Sequence, residues 1–455
     1  RTHFSWSAVN NRLQMVSAPA TKRQHVDDTK ASSHPREIAL DLYRSSAVIL
    51  VVIGHWLLSA MTYRNGEFGR DNPLVLMPWT QWLTWFFQVV PVFFAVAGYA
   101  SAASWARLRT DGTTSRQDWI RRRVARTLGP TAIYAVFVLA VIAALMLAGT
   151  DGSVLELGGW AVAMHLWFLA VYLMVVALTP VAVAAHRRWG LAVPAVLAAC
   201  VVLVDAAGIG TGHPEIRIAN YFFCWAAIYQ LGIAWHGGLL RRRPVVSIAV
   251  VAALALPVLV TWGPYPIAMI GVPGDRVENS APPSVALLAL ATVQIGVLFA
   301  VAPVLNRVLA RGRWPRVIAA ANNNVMMLYL WHMMPVIVVT LVGYPTGLLS
   351  QPPLGTGAWW LARLQWELVL AIVTVVLLGL LSWQRQLFAS PIPTFAAPVR
   401  NGVAVAALYL GTAACALALG LISAGGFAPD GRPPVVAVAL FAAGTLLVAV
   451  RPRAR

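Results

Sequence analysis

The sequence predicts an all-α polytopic transmembrane helix bundle of about twelve spans with both termini cytoplasmic, and three observations predict it. First, 59% of the 455 residues are hydrophobic and only 11% are charged, with a mean hydropathy of +0.71. A soluble chain carries about 25% charged residues. Less than half that share cannot solvate a surface this large, whereas a lipid-facing surface needs no charge. Second, long apolar runs recur from residue 38 to residue 450. Third, the basic residues fall almost entirely on alternate connections. Soluble, disordered and small disulfide-stapled classes are excluded.

Residues 1–35 are polar and are expected to be a disordered cytoplasmic tail. They contain no apolar stretch resembling a signal peptide, so the first apolar run is expected to act as an uncleaved anchor. Twelve runs are long enough to cross a bilayer: 38–61, 79–104, 127–148, 160–185, 191–208, 220–238, 244–262, 284–306, 318–342, 364–384, 401–424 and 434–450. The connections are short and rich in Gly and Pro, as at Gly263–Pro266 and Gln351–Gly357. Of 34 Lys and Arg, 28 fall on the side of the termini. Only Arg64, Arg70, Arg217, Arg276, Arg363 and Arg432 fall on the other, which orients the bundle. This placement also explains most of the net charge of +18 and argues against nucleic-acid binding, which needs a basic domain. An excess of Arg over Lys with abundant Ala suggests a GC-rich bacterial genome, hence a multi-pass protein of a bacterial inner membrane.

Cys200, Cys224 and Cys415 lie inside apolar runs without metal-ligand spacing, so neither a disulfide framework nor a metal site is expected. No sustained internal repeat is visible.

Ionisable side chains within spans are costly and mark cavities or partners. The first span carries Asp41, Arg44 and His55. Eleven helical steps separate Arg44 from His55, which places them on one face roughly 16 Å apart along the axis. Asp41, three residues before Arg44, can pair with it. A fixed cation near the cytoplasm with a titratable imidazole deeper in can hold an anionic cofactor and accept a proton. Alternatively, Arg44 snorkels to headgroups and His55 is a packing residue.

Further along, four segments follow in order: Val92-Phe93-Phe94-Ala95-Val96-Ala97-Gly98-Tyr99; a basic stretch with Arg123-x-x-Arg126; His165-Leu166-Trp167-Phe168-Leu169; and Tyr329-Leu330-Trp331-His332. Together with Asp41-x-x-Arg44-x10-His55, they resemble the ordered motifs of the membrane-bound acyltransferase family 3, integral-membrane O-acyltransferases. Ala97 departs from the Ser that the family commonly has before its Gly. The resemblance implies a ten-helix acyltransferase core, residues 36–390, with two additional C-terminal helices in 391–455.

By this resemblance His55 is the catalytic base that deprotonates an acceptor hydroxyl attacking an acyl-CoA thioester. Arg44 holds the cofactor or polarises the thioester carbonyl, and Arg123 and Arg126 bind CoA phosphates. The plain alternative for those two arginines is the positive-inside rule. His332 and Tyr329 either line the same cavity or form a structural hydrogen bond. Trp167 and Phe168 are read as cavity wall, with an aromatic belt as the alternative. Asn322, Asn323 and Asn324 are read as an N-cap of their span, and Asp205, His213, Glu215 and Arg217 as a solvated outward loop. No permanently bound cofactor is implied; acetyl-CoA or another acyl-CoA is the donor. The acceptor is a hydroxyl of a cell-envelope glycan, glycolipid or secondary metabolite. The competing class is a secondary transporter or exporter of glycans or lipids, for which Arg44 and His55 would line a pathway.

Overall fold

A computed structural model describes residues 37–111, 115–240 and 242–453. The expected tail, residues 1–35, lies outside the described residues. The described residues from Ile38 onward form one compact unit.

Each of the twelve apolar runs falls on helix. In chain order these are α1 (Ile38–Leu58), α2 (Val90–Asp111), α3 (Arg116–Leu147), α4 (Gly152–Ala161), α5 (Trp167–Ala177), α6 (Thr179–Trp189), α7 (Ala192–Thr211), α8 (Asn220–His236), α9 (Arg242–Thr261) and α10 (Val285–Leu309). They continue with α11 (Trp314–Trp331), α12 (Met333–Gly343), α13 (Gly357–Trp383), α14 (Asn401–Gly425) and α15 (Val435–Ala449). Among the described residues nine helical stretches are long and apolar enough to cross a bilayer, and the bent pair α11–α12 makes a tenth. The α8 and α15 helices are shorter, at 17 and 15 residues. The fourth run lies earlier than expected: α4 and α5 form one span over Gly152–Ala177, and Thr179-Pro180 starts the separate helix α6.

Packing is closest where glycine removes the side chain. A Cβ on Gly98 of α2 would stand 2.1 Å from the Tyr229 carbonyl of α8, and one on Gly232 of α8 would stand 1.9 Å from the Ala95 carbonyl. The two backbones therefore touch, and any larger residue forces them apart. Phe94 stacks on Trp225 across this seam, with ring centroids 4.7 Å apart.

Two local features shape the end of α1 that carries His55. A hairpin, β1 (Ala60–Arg64) with β2 (Glu67–Asp71), follows the helix directly. Its turn is Asn65-Gly66, both at positive φ, as a two-residue primed turn requires. The α11–α12 span bends by 52° at His332. Pro335 has no N–H to donate to the Trp331 carbonyl four residues earlier, which frees the backbone to bend there.

Candidate active site

The bend turns His332 toward α1. His55 Nδ1 lies 2.8 Å from His332 Nε2, and the rings stack with centroids 5.1 Å apart. His332 Nδ1 is 2.8 Å from the Tyr329 carbonyl oxygen, which can only accept. That contact assigns the proton of a neutral His332 to Nδ1 and leaves its Nε2 as an acceptor. His55 then donates from Nδ1, so its Nε2 carries a lone pair. The tautomer of one imidazole is thus set by a backbone carbonyl three residues from the other.

A frame of hydrogen bonds fixes both rings. Trp56 Nε1 donates to the His332 carbonyl at 2.9 Å, and Trp366 Nε1 donates to the Trp56 carbonyl at 3.2 Å. Ser59 Oγ donates to the His55 carbonyl at 2.6 Å, and buried Arg363 donates to the Ser59 carbonyl at 3.1 Å. Tyr329 Oη donates to the His165 carbonyl at 2.6 Å, which ties α11 to the turn before α5. The His165 ring is buried edge-on to His332, 4.9 Å between centroids.

His55 opens onto a cavity of about 1560 Å³. Trp167 is part of its wall, together with Leu58, Phe87, Met164 and Met333, so the interior is mainly apolar. Arg70, Asp71, Asn72 and Glu278 bring polar groups to it from the connections on the hairpin side. Burial pushes the Glu278 carboxyl above its ordinary range, with nearby Asp275 adding to the shift and Arg217 opposing it.

The other marked residues form separate groups. Asp41 and Arg44 pair at 3.4 Å, and Asn322 locks them: Arg44 Nε donates to its Oδ1 at 2.7 Å while its Nδ2 donates to the Asp41 carbonyl at 2.7 Å. The expected N-cap role for Asn322, Asn323 and Asn324 is therefore corrected. Helix α11 starts eight residues before Asn322, at Trp314, so these asparagines are interior, and Asn322 bridges two helices. Arg123 donates to Ser101 Oγ at 3.2 Å and to the Ala100 carbonyl at 3.3 Å, and lies over the Trp119 ring. Arg126 is exposed. Arg44, Arg123 and Arg126 do not line the cavity that His55 faces.

The outward loop is also corrected in part. Asp205 and Arg217 are buried, not solvated. The Asp205 carboxylate accepts from Arg217 Nε at 2.9 Å, Asn220 Nδ2 at 3.0 Å, Tyr265 Oη at 2.9 Å and the Val285 amide at 2.8 Å. Only His213 and Glu215 remain exposed, paired with each other at 2.7 Å.

Several residues of this frame had no motif to announce them. Asn322 was one of three asparagines in a row, and only the packing of α11 on α1 distinguishes it. Arg363 and Trp366 lie on α13, which begins at Gly357, earlier than the run 364–384, so an arginine counted with the connections lies within the helix. The hairpin was not read from the sequence, although Asn65-Gly66 is a signal that could have found it.

The acyltransferase domain family model (Acyl_transf_3) matches residues 37–384. No curated protein and no solved structure matches the chain. Asp41, Arg44, His55, Arg123, Arg126, Trp167, Tyr329 and His332 all fall inside the matched region, whereas α14 and α15 follow it.

Proposed function

The chain belongs to the membrane-bound acyltransferase family 3, and from that premise we propose that it transfers an acetyl or other short acyl group from acyl-CoA to a hydroxyl, with His55 as general base. The observation that carries this reading is the 2.8 Å contact between His55 and His332. It leaves Nε2 of His55 with a lone pair, and His55 lines a cavity large enough for an acceptor.

The reaction balances with these groups alone. His55 Nε2 takes the acceptor hydroxyl proton as the oxygen attacks the thioester carbonyl. The C–O bond forms, the C–S bond breaks, and the CoA thiolate leaves with the proton that His55 took, which returns His55 to its neutral form. His332 holds the His55 ring and stabilises the positive charge that builds on it, because His55 Nδ1–H already donates to His332. Arg44, three turns away, is too far to polarise the carbonyl. Its position supports a role in holding the anionic end of the donor on the arginine-rich side. Arg126, exposed on α3, is suited to the CoA phosphates, while Arg123 is engaged with α2. The acceptor is proposed to be a cell-envelope glycan, a glycolipid or a secondary metabolite, and the site of action the inner membrane of a bacterium.

The test is free-thiol release from acetyl-CoA by purified wild type and His55→Ala, with a membrane glycolipid extract as acceptor. Release that requires both His55 and the extract supports the reading. Release by His55→Ala at the wild-type rate removes His55 from the chemistry.

A further inference from the structure

Helix α14 lies outside the family-matched region yet forms a wall of the His55 cavity. Tyr409, Thr412, Ala413, Ala416, Gly420 and Ser423 all line it. At 100° per residue they occupy one face of the helix. The opposite face is buried against α15: a Cβ on Gly411 would stand 2.6 Å from the Gly444 carbonyl, and one on Gly444 would stand 2.7 Å from Cys415 Sγ. The pair is docked into the bundle at both ends. Arg121, buried on α3, donates to the carbonyls of Val448 and Ala404 at 3.2 and 3.5 Å. At the other end the Phe427 amide donates to the Gly159 carbonyl at 3.1 Å. These helices are therefore a component of the site and not an appendage.

The shape of the cavity indicates what it takes. His55 is only about one turn below the hairpin end of α1. Polar groups collect at that level: Arg70, stacked 4.2 Å over Trp160, with Glu278 and Ser423. Below it the cavity runs down between α5 and α14, past Ala416 and Met174, to Leu178 and Tyr409. From Ser423 to Tyr409 that is about 21 Å of helix, most of it lined by apolar or small side chains. A Cβ on Gly420 would meet nothing within 4 Å, so the space beside it is open.

We infer that this cavity binds an amphiphilic acceptor, with its hydroxylated head at His55 and its apolar chain along the α14 wall. The inference rests on the acyl-transfer reading above and narrows its acceptor to a molecule with a lipid-like chain. A soluble glycan would leave the apolar slot unfilled. Adding volume at Ala416 or Gly420 should exclude the chain without disturbing the backbone.

The experiment is equilibrium binding of tritiated dodecyl-β-D-maltoside to the full-length protein in lipid nanodiscs. Wild type is compared with Ala416→Leu, Gly420→Leu and the lipid-facing control Leu410→Trp, and acetyl-CoA binding by each variant confirms folding. The two cavity variants should bind the glycoside about tenfold more weakly, since each buried methylene displaced is worth roughly fourfold. Leu410→Trp should bind as wild type does, and maltose should not displace the label. Unchanged binding by both cavity variants, equal displacement by maltose, or no binding at all overturns the inference. So does a selective loss of palmitoyl-CoA binding in the cavity variants, which would assign the slot to the donor's acyl chain. Binding by His55→Ala separates the two levels: glycoside bound through α14 without His55-dependent thiol release would overturn the acyl-transfer reading alone.

Discussion

Two polar clusters are built into this bundle, and they are finished differently. Around Asp205 four donors from Arg217, Asn220, Tyr265 and the start of α10 converge on one carboxylate. Its charge is fully compensated, and the cluster ties four segments of chain together. Around His55 the frame is just as dense, but it stops short of one atom: among the described residues no hydrogen bond is recorded to Nε2, and His55 lines a cavity. A network that saturates a buried carboxylate specifies packing, whereas a network that immobilises a ring and leaves one lone pair free prepares that atom for a ligand.

Substitutions can break this contrast or sharpen it. His55→Ala should lower acyl transfer by about 10²–10⁴-fold while thermal stability and acetyl-CoA binding stay near wild type. A comparable loss of stability would make His55 a structural residue like Asp205. Asp205→Ala should do the reverse. It strands the Arg217 cation and should cost about 3–5 kcal/mol of stability, read as a fall in melting temperature, with turnover per folded molecule retained. His332→Ala should reduce kcat by about 10²-fold through misplacement of the His55 ring, with KM little changed. His332→Gln should recover part of that loss, since its amide oxygen can accept from His55 Nδ1. A His332→Ala enzyme with wild-type kcat would mean that the dyad does not matter.

Smaller effects are expected away from the reacting atom. Asn322→Ala removes one hydrogen bond to Arg44 and should raise the KM for acetyl-CoA about fivefold with kcat unchanged. The smallest concerns Glu278, whose carboxyl burial holds above its ordinary range. The folded state then binds a proton that the unfolded state has released. Glu278 therefore lowers stability as pH rises from the ordinary carboxylate range through its raised pKa. Glu278→Gln should flatten that part of the profile of melting temperature against pH. An unchanged profile would show that the mouth of the cavity is more open to water than the structure indicates.

Much of this organisation was legible before any coordinates. Lipid imposes a simple rule, that apolar runs long enough to span become helices, so composition and run length gave the fold class and the order of the spans. The spacing of Asp41, Arg44 and His55 put them on one face because helix geometry is fixed, and the ordered motifs pointed to a family that the match over residues 37–384 bears out. Three adjacent asparagines, by contrast, gave no reason to prefer Asn322, and a polar outward loop gave no reason to bury Asp205 and Arg217.

Tertiary structure decided which of these groups meet. His55 and His332 are 277 residues apart, and nothing local to His55 fixes which of its nitrogens carries a proton. That follows from a bend at His332 and from the Tyr329 carbonyl it exposes. The two C-terminal helices carried no motif, because a cavity wall needs only small side chains on the correct face, which in a sequence this rich in Ala and Gly does not stand out. Periodicity and composition act along the chain and can be read from it. Cavities and hydrogen-bonded pairs act across it, and only packing brings their members together.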